Sequence, residues 1–410
     1  MDKKNILYIS YDGMTDPLGQ SQVIPYLTGL SKQYEITILS CEKPSNFSEN
    51  KEYIAHLLKE NNIHWECIPY HKKPPVLSTL YDYMVLWKTA CKLHRKKKIE
   101  LIHCRSYISA LVGLRMKKKF GIPFLFDMRG LWVNERVDGK IWNLKNPVYK
   151  IIYKFFKRKE KQFLENAAYT ISLTNVGKLE LLSWTKIKNQ PLKIEVIPCS
   201  VDIPHFSREH VKAHDLELLK KELKIEETDF IITYLGSLGT WYMLEDMLDF
   251  FKVFSSEIPQ SKFLFVTADS SAEIFAKARS QGVDTSKILI RKASRKDVPT
   301  YLALSRYSIF FIKPVYSKLA SSPTKQGEIM SMGIPLICNA GVGDTDLIVQ
   351  KYEAGFLIPN TEKNAYRKVA QRIKEGIFFD EKKIREGAED WFSLEKGIAS
   401  YAKVYEQILG

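Results

Sequence analysis

Short apolar runs alternate with helix-length segments along most of the chain, and each run has the four to six mostly apolar residues of a buried strand. The runs lie at residues 6–10, 36–40, 99–104, 123–126, 170–173 and 194–198, and again at 230–235, 262–267, 288–291, 308–312, 335–338 and 355–358. Parallel strands need long crossover connections, which are usually helices. The pattern therefore predicts an α/β fold in which helices cover both faces of parallel sheets.

The alternation lapses in the polar stretch 199–229, and this lapse indicates a boundary between two domains. We place the boundary at the start of the stretch, which predicts doubly wound domains at residues 1–200 and 201–390. A chain of 410 residues is too long for one simple core, so two domains are expected. An apolar stripe makes the last predicted helix, residues 391–410, a candidate to pack back onto the first domain.

Charge is distributed unevenly between the two predicted domains. The net charge of +15 lies entirely in residues 1–200, which hold 33 Lys and Arg against 18 Asp and Glu, whereas the remainder holds 29 of each. The segment 145–161 combines an apolar stripe at helical spacing with Lys150, Lys154, Lys157 and Arg158. Such a helix could lie on an anionic membrane surface, although a core-packed helix with a solvated basic face explains the same pattern.

The sequence also limits the classes of protein to consider. No apolar run has the length of a membrane-spanning helix, and the run at 6–10 is too short for a secretory signal, so any membrane contact is expected to be peripheral. The six cysteines and eight histidines show no metal-ligand spacing. We expect a cytoplasmic protein, peripheral on the inner face of the membrane, without a metal or other cofactor.

The most informative motif is SSPTKQGEIMSMGIPLICN, residues 321–339, in which a polar loop leads into a helix and then a strand. Helix N-terminal amides and Lys325 offer positive charge to a diphosphate, and Glu328 can accept hydrogen bonds from sugar hydroxyls. This predicts a nucleotide-sugar site that includes Ser322, Pro323 and Thr324. An ordinary loop, helix and strand of an α/β domain explains these residues equally well.

Two loops that follow predicted first strands are candidate ligand loops, because ligands of such sheets bind at the carboxyl ends of strands. In YDGMTDPLGQSQ, residues 11–22, the candidates for contact with a phosphate or an acceptor sugar are Gly19, Gln20 and Ser21. The loop matches neither the dinucleotide fingerprint nor the P-loop. In GSLGTWYM, residues 236–243, the donor-binding candidates are Gly236, Ser237, Leu238, Gly239, Thr240 and Tyr242. A tight turn around a core tryptophan is the alternative.

Two charged clusters remain. FDMRGLWVNER, residues 126–136, places Asp127, Arg129 and Glu135 after a strand, either as catalytic groups or as a structural ion pair. Asp344 and Asp346 are spaced like a metal-binding pair, but Asp344 is more simply a helix N-cap, so no metal site is predicted.

Taken together, these segments resemble family-4 glycosyltransferases of the GT-B fold over nearly the whole chain. The matching pieces are the glycine loop at Gly19, HCRSY (103–107), ISLTNVGK (171–178), VIPCSVD (196–202), YLGSLG (234–239), the segment 290–293, PTKQGEIMSMGIPLI (323–337) and EAGFLIP (353–359). The resemblance implies two Rossmann-like domains facing across a cleft that is the expected active site. It further implies metal-independent, retaining sugar transfer, with the nucleotide bound by the C-terminal domain and the acceptor by the N-terminal domain.

Carried over residue by residue, the resemblance assigns Glu328 to the donor ribose, Lys325 to the diphosphate, and the backbone at Lys292 and Ala293 to the base. Arg105, in HCRSY, is grouped with Gly19, Gln20 and Ser21 as a candidate for contact with the acceptor or a phosphate. The family's common pattern has another glutamate where this chain has Ala320. The usual Arg and Lys after the first strand of the C-terminal domain are also absent, and the chain is similar to the branch with an SPTK loop. Lys325 is therefore expected to carry more of the charge stabilisation, with Arg129 as a further candidate.

The expected function is transfer of a hexosyl or N-acetylhexosaminyl group from a nucleotide sugar to a glycan or lipid-linked acceptor, in assembly of a surface polysaccharide or lipopolysaccharide. The basic N-terminal half favours a membrane-borne acceptor. A nucleotide-sugar epimerase of the same fold is one alternative. A nucleic-acid-binding protein is a second alternative, but it leaves the donor motifs unexplained, and no nucleic-acid partner is expected.

Overall fold

A computed structural model describes residues 3–188 and 191–410, which form two compact units. Unit 1 comprises Met1–Pro198, Leu319–Ser321 and Leu394–Gly410, and unit 2 comprises Cys199–Lys318 and Ser322–Ser393. Each unit is built around one parallel sheet. The two sheets with their helices confirm the predicted α/β class. Within the described residues, no helix is both long enough and apolar enough to cross a membrane.

Unit 1 contains a seven-stranded parallel sheet in the order β3-β2-β1-β4-β5-β6-β7. Its strands are β1 Asn5–Ser10, β2 Glu35–Glu42, β3 His64–Pro69, β4 Leu101–Arg105, β5 Phe124–Asp127, β6 Tyr169–Ser172 and β7 Ile194–Val196. Its helices are α1 Pro17–Gln22, α2 Ile24–Leu30, α3 Pro44–Glu60, α4 Leu77–Lys97, α5 Ser106–Phe120, α6 Trp132–Asp138, α7 Pro147–Asn166, α8 Asn175–Leu182 and the C-terminal α17 Leu394–Leu409. Helices α4, α5 and α7 cover one face of the sheet, and α2, α3 and α17 cover the other.

Among the described strands, β3 is the strand that the apolar pattern does not predict. It has the sequence HWECIP and lies at the edge of the sheet, where Ile68 is buried and the other side chains are partly or fully exposed. An edge strand has a neighbour on one side only and therefore needs fewer apolar residues. Hydrophobic periodicity is consequently a weak signal for such a strand.

Unit 2 contains a six-stranded parallel sheet in the order β10-β9-β8-β11-β12-β13. Its strands are β8 Phe230–Leu235, β9 Ser261–Val266, β10 Ile288–Arg291, β11 Tyr307–Phe310, β12 Leu336–Asn339 and β13 Gly355–Ile358. Its helices are α9 Ala213–Leu223, α10 Leu244–Glu257, α11 Ser271–Ser280, α12 Val298–Ala303, α13 Thr324–Ser331, α14 Thr345–Lys351, α15 Lys363–Lys374 and α16 Glu381–Trp391. One large apolar core joins the sheet to these helices.

Strand β13 begins at a glycine that the local geometry requires. Gly355 has φ +136°, and a Cβ atom there would lie 2.1 Å from the backbone oxygen of Leu336 in β12. Both the backbone conformation and the close approach of β12 therefore exclude any other residue without a local rearrangement.

Candidate active site

Lys325 lies in the first turn of α13, the helix that the SPTK motif predicts. Only 7% of this residue is exposed. Its Nζ atom donates a hydrogen bond to the Tyr234 hydroxyl at 2.9 Å and lies 4.0 Å from the Tyr234 ring centroid and 3.5 Å from that of Tyr242. The ammonium group is thus held by a neutral hydroxyl and two aromatic faces.

This environment disfavours the charged form of the lysine. Burial lowers the pKa of Lys325 well below its usual value, and the carboxylates of Glu328 and Asp269 only partly oppose the shift. An anion placed beside the ammonium group would favour its charged form. The site is therefore chemically suited to a ligand that brings its own negative charge.

The predicted glycine loop after β8 packs beside Lys325. Gly236 has φ +93°, and a Cβ atom there would lie 3.6 Å from the Cε and Nζ atoms of Lys325. The Tyr234 hydroxyl donates to the backbone oxygen of Ser237 at 2.8 Å, so the same tyrosine fixes both the loop and the lysine. Of the remaining candidates, Leu238 is buried, and Gly239, which has φ +48°, and Thr240 are exposed. The structure therefore brings Gly236 and Tyr242 to the lysine, and Ser237 is linked to it through the Tyr234 hydroxyl.

Asp269 organises this loop, although the motif analysis does not identify it. The Ser237 hydroxyl donates to Oδ1 of Asp269 at 3.1 Å, and the Leu238 amide donates to Oδ2 at 2.5 Å. The Thr267 hydroxyl also donates to Oδ2, at 3.0 Å. The sequence does carry a signal that could have identified Asp269, namely the polar run TADS directly after β9. Side chains that follow parallel strands meet at one edge of the sheet, where ligands bind.

Glu328 lies one turn after Lys325 on α13, and 13% of its side chain is exposed. Burial raises the pKa of Glu328, whereas Arg295, the closest cation at 3.4 Å, and Lys325 lower it. Arg295 is a further residue that the motifs do not identify. It lies in the segment after β10 that carries Lys292, which is exposed, and Ala293, which packs against the core of unit 2.

The rest of the SPTK loop leads into α13. The Ser322 hydroxyl accepts a hydrogen bond from the Cys199 amide at 3.2 Å, Pro323 occupies the N-cap position, and the helix begins at Thr324. Gly333, with φ +66°, follows the helix and precedes β12 as the sequence predicts. Ser322 and Pro323 therefore set the start of the helix that carries Lys325 and Glu328.

In unit 1, the predicted loop 11–22 is held mainly by a buried glutamate. Glu42 accepts hydrogen bonds from the Met14 and Thr15 amides at 2.8 and 3.1 Å. Gly19 is needed for packing, because a Cβ atom there would lie 2.2 Å from the backbone oxygen of Gly13. The polar side chains of the two neighbouring candidates bond locally, since Gln20 donates to the Thr15 carbonyl and Ser21 to the Pro17 carbonyl.

Asp127, at the end of β5, is enclosed in a hydrogen-bond network rather than placed for contact with a substrate. It is 1% exposed. Its Oδ2 atom accepts from the Tyr401 hydroxyl at 3.1 Å and lies 3.3 Å from His103 Nε2, and its Oδ1 atom lies 3.8 Å from Arg129 Nη1. The Tyr405 hydroxyl lies 2.7 Å from His103 Nδ1. This geometry favours the structural ion pair, which the sequence also allows, over the catalytic role predicted for Asp127.

Charge compensation keeps this buried carboxylate ionised. Burial alone raises the pKa of Asp127, but Arg129, His103 and Arg105 outweigh that effect and hold it below its ordinary value. Burial also lowers the pKa of His103. With a neutral ring, Nε2–H donates to Asp127 while Nδ1 accepts from Tyr405, which satisfies both ring nitrogens.

Two arginines lie at the carboxyl ends of neighbouring strands beside this network. Arg105, 5% exposed, is the last residue of β4 and pairs in register with Asp127 of β5, and Arg129 follows two residues later. Arg129 has φ +54°, and Ser106, which follows Arg105, has φ +64°. Such strained conformations of residues other than glycine are concentrated at functional sites. The carboxyl edge of the unit 1 sheet is therefore the candidate acceptor site.

Comparison with known families decides the class of this protein. The family model described as Glycosyltransferase Family 4 matches residues 23–204, and the model described as Glycosyl transferases group 1 matches residues 215–391. The chain belongs to the family-4 glycosyltransferases. The resemblance seen in the sequence motifs is thereby confirmed. No curated protein sequence matches the chain.

Solved structures show that this glycosyltransferase has the GT-B fold. Sucrose-phosphate synthase from Thermosynechococcus elongatus is 17% identical, with a TM-score of 0.72 and 99% of each chain covered. HepE from Anabaena, in complex with UDP and glucose, is 13% identical, with a TM-score of 0.70, 98% of this chain and 99% of that chain covered. WaaG, a glycosyltransferase involved in lipopolysaccharide biosynthesis, is 12% identical, with a TM-score of 0.64 and coverage of 96% and 98%. At these identities the likeness establishes the fold alone.

The glycosyltransferase departs from the common family pattern at Ala320, and the packing of unit 1 accounts for the small residue. Ala320 is 4% exposed. A Cβ atom built on Gly177, in the first turn of α8, would lie 2.9 Å from the Ala320 Cβ, so the two residues are closely packed. The neighbouring Leu319 carbonyl accepts from the Thr174 hydroxyl at 2.7 Å. A glutamate side chain at position 320 would need space that α8 occupies.

The basic segment of the glycosyltransferase forms α7, which both packs against the core and exposes an apolar stripe. Phe156, Phe163 and Leu164 are buried, whereas Val148, Ile151 and Phe155 are exposed. Lys150, Lys154 and Arg158 are exposed on the same helix. Lys157 differs from the prediction, because its ammonium group contacts the buried Glu160 and lies 4.5 Å from the Trp184 ring. Lys157 therefore stabilises the fold and is not part of the outer basic surface.

The predicted aspartate pair lies at the start of α14. Asp344 is the N-cap residue, and both carboxylate oxygens of Asp346 accept from the Gly341 amide at 3.1 Å. Across residues 3–188 and 191–410, no three His, Cys, Asp or Glu side chains converge as a group of metal ligands.

Proposed function

We propose that this glycosyltransferase moves a sugar, with retention of anomeric configuration, from a nucleoside-diphosphate donor bound by unit 2 to an acceptor bound at the carboxyl edge of unit 1. The observation that carries the proposal is the buried Lys325, whose ammonium group is hydrogen-bonded to a neutral hydroxyl at 2.9 Å. Its depressed pKa is relieved when an anionic ligand enters. A nucleoside diphosphate supplies that anion, and HepE, of the same fold, is described with UDP and glucose.

Each donor group has a proposed partner in unit 2. Lys325 and the first-turn amides of α13 contact the diphosphate, and Glu328 contacts the ribose hydroxyls. Arg295, 3.4 Å from Glu328, orients the carboxylate, and the backbone near Ala293 contacts the base. Gly236 allows the diphosphate to approach the backbone of the loop after β8.

The chemistry then requires no protein nucleophile. The acceptor hydroxyl attacks the anomeric carbon on the face from which the nucleoside diphosphate departs. The new carbon–oxygen bond forms as the bond to the phosphate oxygen breaks, and a phosphate oxygen takes the hydroxyl proton. The contribution of the protein is positioning and stabilisation of the departing charge by Lys325. No metal is part of this proposal.

A thermal-shift screen with UDP-glucose, UDP-N-acetylglucosamine, UDP-galactose and GDP-mannose tests the donor site. A ligand that binds the native state raises Tm by mass action, by an amount equivalent to about 2.7 kcal/mol at 100 times Kd. Glu328→Gln should remove most of the shift, and Glu273→Gln, at an exposed position of α11, should retain it. The absence of a shift with every nucleotide sugar would contradict the donor site.

Incubation with the donor alone separates transfer from the epimerase alternative. The transferase should release nucleoside diphosphate only with an acceptor or slowly by hydrolysis, whereas an epimerase converts the donor sugar to its isomer. NMR of the anomeric proton of the product tests retention. A product of inverted configuration would contradict the mechanism while leaving the donor site intact.

For the acceptor, we propose a sugar on an anionic membrane lipid, in assembly of a surface polysaccharide or lipopolysaccharide at the inner face of the membrane. The support is the exposed Lys150, Lys154 and Arg158 of α7 beside an exposed apolar stripe. WaaG, which has the same fold, is described as involved in lipopolysaccharide biosynthesis. Flotation with vesicles of phosphatidylglycerol and phosphatidylcholine should show binding that pure phosphatidylcholine does not support.

A charge-reversal pair makes this membrane test specific. Lys150→Glu with Lys154→Glu should strongly reduce flotation. Lys363→Glu with Lys368→Glu, at exposed positions of α15, changes the net charge equally and should retain it. Equal loss in both double variants would assign the binding to net charge and contradict the role of α7.

A further inference from the structure

Helices α4 and α7 of unit 1 lie on the same face of the sheet, and α5 packs against both. Each returns to the amino edge of the sheet, since α4 ends at Lys97 before β4 begins at Leu101, and α7 ends at Asn166 before β6 begins at Tyr169. The C-terminal ends of both helices are therefore fixed at the same edge. Their N-terminal ends point towards the opposite, carboxyl edge.

Both helices are longer than the strands they cover. With 21 and 20 residues, α4 and α7 span about 31 and 30 Å at 1.5 Å per residue. The strands that follow, β4 with 5 residues and β6 with 4, span about 17 and 13 Å. Because the C-terminal ends are fixed, the excess length falls at the N-terminal ends. The first turns of α4 and α7 therefore project beyond the carboxyl edge of the sheet.

These projecting ends carry exposed apolar side chains. At the start of α4 they are Val76, Leu77, Leu80 and Tyr81, and on α7 they are Val148, Ile151 and Phe155, with 44 to 68% of each residue exposed. Isolated exposed apolar residues are normal, but clusters of them indicate an interaction surface. The two clusters share one face and one edge of the same sheet.

The charges next to both clusters are basic. Lys72 and Lys73, which are exposed, precede α4, and Lys150 and Lys154 lie on the outer side of α7. The nearby Asp82 is fully buried and held by the Tyr11 hydroxyl and the His71 amide, so its carboxylate is not part of the outer surface. Each helix N-terminus adds a partial positive charge. An anionic surface with an apolar interior complements this combination, as a bilayer of anionic lipids does.

We infer that the projecting ends of α4 and α7 form one membrane-docking surface, in which the α4 end inserts between lipids and the α7 end lies among anionic headgroups. This inference rests on the proposed lipid-linked acceptor and extends it to α4 and to the orientation of the sheet. The carboxyl edge, where Arg105 ends β4 and Arg129 follows β5, then lies next to the lipid headgroups. An acceptor sugar carried on a lipid phosphate then reaches that edge while its lipid remains in the bilayer.

The test is the partition of the full chain onto vesicles of phosphatidylglycerol and phosphatidylcholine. Leu77→Gln with Leu80→Gln should lower the partition constant by about tenfold or more, equivalent to about 1.4 kcal/mol, because two apolar side chains no longer enter the bilayer. The matched control is Leu218→Gln with Leu347→Gln, at helical positions of unit 2 with 52 and 50% exposure. The control should partition as the unmodified chain does.

Salt dependence separates the two ends of the surface. Lys150→Glu with Lys154→Glu should flatten the dependence of partition on ionic strength, whereas the leucine variant should keep the original slope at weaker binding. Hydrogen exchange at residues 72–86 should slow when vesicles are added. Unchanged partition of the leucine variant, or failure of the unmodified chain to bind these vesicles, would overturn the inference.

Two further measurements remove the competing explanations. Sedimentation velocity tests whether this surface is instead a dimer interface. If the leucine substitutions dissociated a dimer and left vesicle binding unchanged, the inference would be overturned. The donor-induced thermal shift should be the same in all these variants. A chain that binds vesicles but no nucleotide sugar would refute the proposed transfer and leave the docking surface intact. A chain that binds a nucleotide sugar but no vesicles would refute the docking surface and leave the donor site intact.

Discussion

Lys325→Met separates the contribution of Lys325 to function from its contribution to stability. Methionine keeps a side chain of similar length between the rings of Tyr234 and Tyr242 and removes the buried charge. Placing an ammonium group in the interior costs several kcal/mol. The contacts that offset this cost are two cation–π interactions, worth about 0.5–2 kcal/mol each, and one hydrogen bond to a neutral hydroxyl, worth about 1 kcal/mol. The carboxylates of Glu328 and Asp269 oppose the cost further, but burial has the largest effect on the pKa of Lys325 and lowers it well below its usual value, so we expect a net cost.

We therefore expect Lys325→Met to stabilise the protein by about 1–2 kcal/mol, which raises Tm by roughly 2–8 °C in a domain of this size. Turnover should fall by about 10²-fold, because a preorganised charge beside the leaving group is lost. Lys325→Ala should lose the same activity but lower Tm, since it leaves a cavity beside both rings. Lys382→Met, at an exposed position of α16, controls for loss of one charge and should alter neither property.

The stabilisation should also depend on pH with a definite sign. The pKa of Lys325 in the folded chain lies below its value in the unfolded chain, so protonation favours unfolding. The penalty is complete below the folded pKa and disappears as the pH rises towards the unfolded value of about 10.4. The advantage of methionine, measured by scanning fluorimetry, should accordingly shrink at alkaline pH. A lower Tm for Lys325→Met at pH 7, or turnover within about threefold of the unmodified chain, would refute the reasoning.

Three further predictions concern the cores of the two units. Tyr401→Phe should reduce the free energy of unfolding, measured by urea titration, by about 1.5–3 kcal/mol, because the Tyr401 hydroxyl donates to the ionised carboxylate of Asp127. Tyr34→Phe is the control, since it removes a hydrogen bond to the Ala402 backbone carbonyl and should cost about 1 kcal/mol. The pKa of Asp127 is lower in the folded chain, so its contribution to stability is present above the ordinary carboxyl pKa and is lost as pH falls through the folded value. Asp127→Asn should therefore flatten the decline of Tm in acid. An unchanged decline would exclude this carboxylate as its source. Gly355→Ala should prevent soluble folding, because its Cβ would lie 2.1 Å from a backbone oxygen of the adjacent strand. Gly376→Ala, whose Cβ would have no atom within 4 Å, should cost only about 1 kcal/mol of backbone strain. Far-ultraviolet circular dichroism and urea titration would measure the two effects.

The donor loop illustrates how far motifs can lead. The chemistry of Lys325 and Glu328 follows from residue type and from their position at a helix start, and both are placed on α13 as expected. Asp269 and Arg295, which hold the neighbouring loop and carboxylate, are distant in sequence from the motif. The parallel strands all end at one edge of the sheet, and the order β10-β9-β8 places the segments after β9 and β10 near the loop after β8. Contacts of this kind follow from topology rather than from spacing along the chain.

The apolar pattern and the order of the motifs are enough to predict the α/β class, nearly all the strands and the family, because buried parallel strands require continuous apolar runs. Tertiary structure decided which charged residues face solvent. Asp127 and Lys157 are both polar residues on strongly patterned segments, yet one is enclosed by Tyr401 and His103 and the other contacts the buried Glu160. The partners come from other segments or from the buried side of a helix, and burial depends on all of them together. A pattern of apolar and polar positions records which way a segment faces, but not which charges meet when the segments pack.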